Sequence, residues 1–248
     1  INRYSLGIQA LRTDYLKILD RVHSLDDVHE TLSFFNKNQY NFSVDFMLGL
    51  PWSESKKRNI LAELDDILRY DPGHLSLYIL TAKGAYPYKG DLPEDDYLEK
   101  EFLLVSEKLR EVGYEHYEVS NFAKPGLASE HNLRYWRCES VAALGPSAVG
   151  FLKEKSLRYK WKTDGHFYTE EALNADELKL EQIYMGLRIH EGLNPSEHFE
   201  IKDRKEIECL LSEWESDGLG FGSWQHFTLT SKGFLILDTL IQKLFSYF

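Results

Sequence analysis

The chain has 248 residues, 43% hydrophobic and 28% charged, with 29 Lys+Arg against 40 Asp+Glu for a net charge of −11. That length and composition fit a soluble globular chain of one large domain, or a large one with a small companion, and no apolar run approaches the ~18 residues of a membrane span. The acidic balance argues against nucleic acid as main ligand, and Cys138 and Cys209, with no CxxC, argue against a disulfide framework or a metal cluster built wholly from these residues.

The chain opens at Ile1 directly in strand-like alternation, which reads as part of a longer protein. Tyr4, Leu6 and Ile8 alternate in a strand ending at Gln9, and a short helix follows to about Leu19. Ser24 with Asp27 predicts a capping box for a helix carrying Leu25, Val28, Leu32 and Phe35. Phe42, Val44, Phe46 and Leu48 mark a second strand, stopped by Gly49-Leu50-Pro51. Helical period then runs from Ser53 to Tyr70, Leu75 to Ile79 is a third strand, Glu94 to Val112 a further helix, and Tyr114 to Val119 a fourth strand. Strands alternating with helices in this way predict βαβ units, a parallel sheet and an α/β class, either half a (β/α) barrel or one side of a doubly wound sheet.

Past residue 160 the pattern changes. Asn174 caps a helix to about Ile189, Asp203 to Ser216 is another, Leu219 to Leu229 reads as a small hairpin, and Ser231 starts a final helix. This order predicts a winged-helix-like domain over residues 165–248, after a first domain over 1–164. Residues 170–217 hold fourteen acids and five bases, so a docking element or lid fits it better than a DNA reader.

Ligands of parallel α/β sheets gather at the carboxyl ends of strands. Gln9 ends the first strand, Arg21 follows the next helix, and Asp45 lies within the second strand among apolar neighbours. Each also has a plain structural use: a loop cap, a solvated charge, a partner for a backbone group.

Their setting carries a resemblance. The stretches Asn2-Arg3-Tyr4-Ser5-Leu6-Gly7-Ile8-Gln9, Arg21-Val22-His23-Ser24 and Val44-Asp45-Phe46-Met47-Leu48-Gly49-Leu50-Pro51 resemble the radical S-adenosylmethionine (SAM) proteins related to oxygen-independent coproporphyrinogen III oxidase. Tyr114-Glu115-His116-Tyr117-Glu118-Val119-Ser120-Asn121-Phe122-Ala123, then His131-Asn132-Leu133-Arg134-Tyr135-Trp136, and farther on Met185-Gly186-Leu187-Arg188 and Leu229-Thr230-Ser231-Lys232-Gly233, are similar to the heme-chaperone branch of that family.

The resemblance implies the C-terminal half of a TIM-like radical SAM partial barrel with a porphyrin-side extension, followed by the winged-helix-like domain. It implies that Gln9 and Asp45 hydrogen-bond the ribose and methionyl parts of SAM while Arg21 meets its carboxylate, a match of donor fork to anion. The family's CxxxCxxC motif for a four-iron four-sulfur cluster is expected before Ile1, so the chain would hold no metal itself and carry a SAM half-site without the electron source. Between Ser120 and Lys162, eight Lys or Arg against three acids reverse the global balance. Aromatic residues interleave with them, which suits a flat apolar macrocycle bearing carboxylates as well as an ordinary sheet surface. His131 is the candidate axial ligand of heme, with Arg134, Tyr135, Trp136 and Arg158 as further porphyrin candidates. Where relatives tend to read Gly-x-Ser-Ala-His-Ser, this chain reads Gly145-Pro146-Ser147-Ala148-Val149-Gly150, and Val149 cannot ligate iron. The leading reading is a heme chaperone binding SAM and heme. Its rivals are an oxidase converting porphyrinogen propionates and a non-catalytic binding module. Implied partners are heme or a porphyrinogen, a heme-acceptor protein and a second copy of the chain, in the cytoplasm.

Overall fold

Alternating apolar residues make the three strands that open the chain. In the computed structural model, which describes residues 1–247, Tyr4–Gln9 (β1), Phe42–Leu48 (β2) and His74–Ile79 (β3) are parallel neighbours. Thr13–Ile18 (α1), Leu25–Lys37 (α2) and Ile60–Leu68 (α3) connect them, and Asp95–Glu111 (α4) follows. Val44, Phe46, Leu48 and Leu75 are completely buried, as are Leu32 of α2, Leu64 and Ile67 of α3 and Val105 of α4. Because side chains alternate along a strand, this apolar face turns Ser43, Asp45, Ser76 and Tyr78 to the other.

Local signals set the helix starts. Ser24 Oγ accepts the Asp27 N–H at 3.2 Å and the Asp27 carboxylate accepts the Ser24 N–H at 2.8 Å, the predicted capping box. The helix expected from Ser53 begins only at Ile60, because Trp52 and Lys57 take φ of 62° and 50° and break the run; Asn59 then caps it by accepting the Ala62 N–H at 3.2 Å.

The expected parallel sheet is corrected to a mixed one. Glu115–Glu118 (β4) is followed two residues later by Asn121–Ala123 (β5), which inserts antiparallel between β3 and β4 to give the order β1-β2-β3-β5-β4. A parallel partner requires a crossover of about a dozen residues, so so short a link permits only the antiparallel return.

The chain divides into two compact units, residues 1–128 and Ser129 onward. The second holds Glu130–Trp136 (α5) and an antiparallel sheet of Val149–Leu152 (β6), Leu157–Trp161 (β7) and Tyr168–Ala172 (β8). The 164/165 division expected from sequence falls in the turn between β7 and β8, which pair from Leu157↔Ala172 to Trp161↔Tyr168. Ala175–Gly186 (α6), Pro195–His198 (α7) and Arg204–Ser216 (α8) lead to the hairpin Gly220–Ser223 (β9) and His226–Leu229 (β10). The final helix is two, Ser231–Leu235 (α9) and Leu237–Phe245 (α10), broken at Ile236. Ile183, Ile207, Trp214, Phe227 and Leu240 are buried at the core of this unit. Among the described residues no helix is long and apolar enough to cross a membrane.

Candidate functional site

One rung of the first sheet gathers polar groups from every strand but β1. Gly7 pairs with Asp45, Asp45 with Ser76, Ser76 with Asn121 and Asn121 with Glu118, so these five residues lie side by side across the sheet on the face away from the core. Ser5 Oγ donates to Asp45 Oδ1 at 3.0 Å, and Ser43 Oγ donates to Ser5 Oγ at 3.0 Å. Asn121 is buried and its Oδ1 has no hydrogen-bond partner among the described residues. The Tyr78 phenol is pushed up from its ordinary range, chiefly by burial and further by the Asp45 and Glu118 charges, while a Ser76 hydrogen bond works the other way.

Below the rung, His74 Nε2 is 2.8 Å from the Tyr117 hydroxyl, and burial, aided by the Arg3 charge, holds the His74 imidazole down to about 3. It is therefore neutral at physiological pH and serves as a fixed hydrogen-bonding group.

Gln9 closes β1 in an unusual conformation. Its φ is 65°, and the Ala10 N–H donates to Ile8 O at 2.8 Å, forming a γ-turn centred on Gln9. A Cβ on Gly7 would stand 2.9 Å from Gln9 Nε2, so the glycine leaves the space the amide occupies. Gln9 and Asp45 thus belong to neighbouring strands, with Asp45 one rung below the turn. Arg21 lies in the loop after α1, exposed, its backbone N–H bonded to Leu16 O at 2.9 Å and its guanidinium in no ion pair among the described residues.

The porphyrin candidates all lie in the second unit. On α5, His131 stands edge-on to Tyr135 at 5.1 Å between centroids, and the Tyr135 hydroxyl donates to Val149 O at 3.1 Å. Arg134 is exposed and makes no ion pair among the described residues. Trp136 lies under the Arg188 guanidinium, which also covers Tyr184 at 4.1 Å. Arg158 is already held by Glu171 at 2.8 Å and Glu181 at 2.6 Å. Cys138 is buried with its thiol pushed up to about 11, mainly by burial, and Cys209 is a free exposed thiol.

Sequence reasoning missed Ser5, Ser76, Asn121, Glu118 and Tyr78. The signal was present in the strand period: they occupy the positions alternate to the apolar face, once β5 is placed.

The whole chain has the fold of a radical SAM enzyme: it superposes on coproporphyrinogen III oxidase (HemN) from Escherichia coli with a TM-score of 0.76 at 16% identity, covering 100% of this chain and 65% of that one. In sequence it is a homologue of the heme chaperone HemW of Lactococcus lactis, 28% identical over 98% of this chain and 69% of the relative, and of mouse mitochondrial radical S-adenosyl methionine domain-containing protein 1, 31% identical over 98% and 62%. HemW of Buchnera aphidicola is 32% identical over 60% of this chain and 40% of its own. The chain therefore spans 40–69% of the length of these relatives. No family model matches it.

Proposed function

We propose that this chain is the SAM-binding, heme-handling portion of a HemW-type heme chaperone, with residues 1–128 as part of a radical SAM partial barrel and a winged-helix-like module within the unit that begins at Ser129. The observation that carries the SAM reading is the polar rung. Asp45 and Glu118 place carboxylates on it, Ser76 a hydroxyl and Asn121 an orphaned acceptor, while none of its members is Lys or Arg. SAM brings what such a face lacks: a sulfonium, an ammonium and a ribose diol. Asp45 would accept from a ribose hydroxyl or the ammonium, Gln9 would offer both a donor and an acceptor, and the unpaired Arg21 would meet the carboxylate. In company with a reducing cluster, SAM supplies a 5′-deoxyadenosyl radical. The two cysteines of this chain do not fit such a cluster, since both stand alone in sequence and the Cys138 thiol is buried and held protonated.

For heme, α5 presents His131 and Tyr135 one turn apart with Arg134 free beside them, whereas Trp136 and Arg158 already have protein partners. His131 is the axial candidate and Arg134 the propionate partner. A cytoplasmic site, a heme-acceptor protein and a second copy of the chain complete the proposal.

Calorimetric titration of the full-length protein with SAM tests the first half: Arg21→Ala and Asp45→Asn should each weaken binding by about 1.5–3 kcal/mol. Wild-type affinity in both would remove the site. Heme titration tests the second. His131→Ala should move the Soret band, and an unchanged spectrum with a lower melting temperature would assign His131 to the fold. Product analysis separates chaperone from oxidase, since only the oxidase forms protoporphyrinogen.

A further inference from the structure

The Arg58 side chain is completely covered. Its Nε donates to Glu63 Oε1 at 2.8 Å, its Nη2 to Glu63 Oε2 at 3.0 Å and its Nη1 to Met47 O at 2.9 Å. A second buried carboxylate, Glu101 of α4, stands with Oε1 3.9 Å from Nη1. The rings of Tyr15 and Phe46 flank the guanidinium at 5.0 Å and 5.2 Å. Two carboxylates thus share one cation in a region closed to water, and burial pushes the Glu101 carboxyl up despite the Arg58 charge. Joining α3 to α4 does not require this surplus of acceptors.

The surplus goes to the backbone. Glu63 Oε2 accepts the Leu11 N–H at 2.9 Å, and Glu101 Oε2 accepts the Gly49 N–H at 2.9 Å. Leu11 lies two residues beyond Gln9, and Gly49 directly follows β2, the strand of Asp45. The two bonded N–H groups therefore belong to the two loops at the carboxyl ends of β1 and β2. Both loops hold a left-handed residue, Gln9 at φ 65° and Gly49 at φ 66°, and a Cβ at Gly49 would collide with Leu98. For Gln9, which carries a side chain, such a conformation persists only where its surroundings over-determine it, whereas Gly49 adopts it freely.

We propose that Arg58, Glu63 and Glu101 form a clamp of positioning residues that holds the β1 and β2 loops in the geometry by which Gln9 and Asp45 grip SAM. The clamp touches no ligand itself, and this inference rests on the SAM reading above. Arg58 ties the end of β2 through Met47 O, Glu63 ties the turn after Gln9, and Glu101 ties the loop after Asp45. Preorganising those loops spares the ligand the ordering cost on binding.

Glu101 gives the cleanest test. Glu101→Leu removes the acceptor of the Gly49 N–H and leaves the Arg58–Glu63 pair in place, whereas Glu101→Gln returns a neutral acceptor. SAM affinity by calorimetry, amide hydrogen exchange at Leu11 and Gly49, and melting temperature are measured together. Glu101→Leu should speed exchange at Gly49 and weaken SAM binding roughly tenfold in protein that remains folded, and Glu101→Gln should recover most of both. Glu63→Leu should do the same at Leu11; if that variant does not fold, the Glu101 pair decides. A role in stability alone would lower the melting temperature and leave the affinity of the folded protein unchanged, and Glu101→Leu binding SAM at parental strength would overturn the clamp. A parent that binds no SAM overturns the SAM reading instead, and in that case fast exchange at Leu11 and Gly49 in the parent would show that no clamp exists.

Discussion

The first unit, beside surface pairs such as Arg69 with Asp66, buries a cluster of charges, Arg58, Glu63 and Glu101, and sets Asp45 and Glu118 in one rung of a sheet, whereas among the described residues the second has no ion pair as deeply covered, its best-covered being Arg158 with Glu181 at 34% and 14% exposure. Arg137 with Glu191, Arg188 with Asp238 and Arg204 with Glu208 each leave at least one partner 40% or more exposed. A buried polar group must find partners, so its position is dictated by the fold and informs about a site. An exposed pair is worth about 0–1 kcal/mol and informs about little. The SAM assignment therefore rests on geometry, while the heme assignment rests on the His131 to Trp136 motif and on the freedom of Arg134.

The largest expected effect tests that contrast directly. Arg58→Met strips two buried carboxylates of their cation and should cost about 3–5 kcal/mol in denaturant unfolding. A loss below about 1 kcal/mol would put the buried cluster on the level of the surface pairs and dissolve the distinction.

A smaller effect is expected from His74. Its folded value, about 3, lies below the ordinary histidine value, so between the two the unfolded chain binds a proton that the native chain does not. Stability should be full above about pH 6.5 and fall on acidification toward pH 3, by at most about 1.4 kcal/mol per pH unit. Comparing wild type with His74→Phe between pH 7 and pH 5 isolates this slope. Equal slopes would mean that His74 is protonated in the fold and that this face is wetter than its burial indicates.

The smallest belongs to the second unit. Glu191 is held below the ordinary carboxylate range by its Arg137 hydrogen bond, so any stability it adds is present above the unfolded carboxylate value and lost as pH falls through the folded one. With both partners solvent-accessible, Arg137→Ala should change unfolding by no more than about 1 kcal/mol, and salt should erase the difference. A salt-independent loss above that would show a buried contribution in this unit too.

Much of this was legible in the residues. The alternation in β1, β2 and β3 located the sheet, and the Ser24 capping box and the Asn174 cap placed two helix starts, the second of which the structure shows to be a capping box with Glu177 as well. Gln9 and Asp45 stood out because they interrupt apolar strands near their carboxyl ends. The three-residue β5 was hidden: it is shorter than any period can reveal, and without it Asn121 and Glu118 have no register with Asp45. The Arg58 clamp was hidden for another reason. Glu63 and Glu101 sit on amphipathic helices 38 positions apart, where a carboxylate looks like any solvated charge until tertiary packing brings both to one guanidinium. The early start expected for α3 failed because hydrophobic period cannot see the left-handed residues that break a helix.

The margins of the five-stranded sheet differ in how they meet other chains. At one margin β4 exposes Glu115, a charge of the kind that discourages a foreign strand from docking, while its Glu118 is buried. At the other, β1 reads Tyr-Ser-Leu-Gly-Ile-Gln, six residues without a charge or a proline, and its outer row of backbone groups has no strand partner among the described residues. An unpaired row of this kind is a template on which an extended segment, of the same polypeptide or another, can add a strand directly beside Gln9.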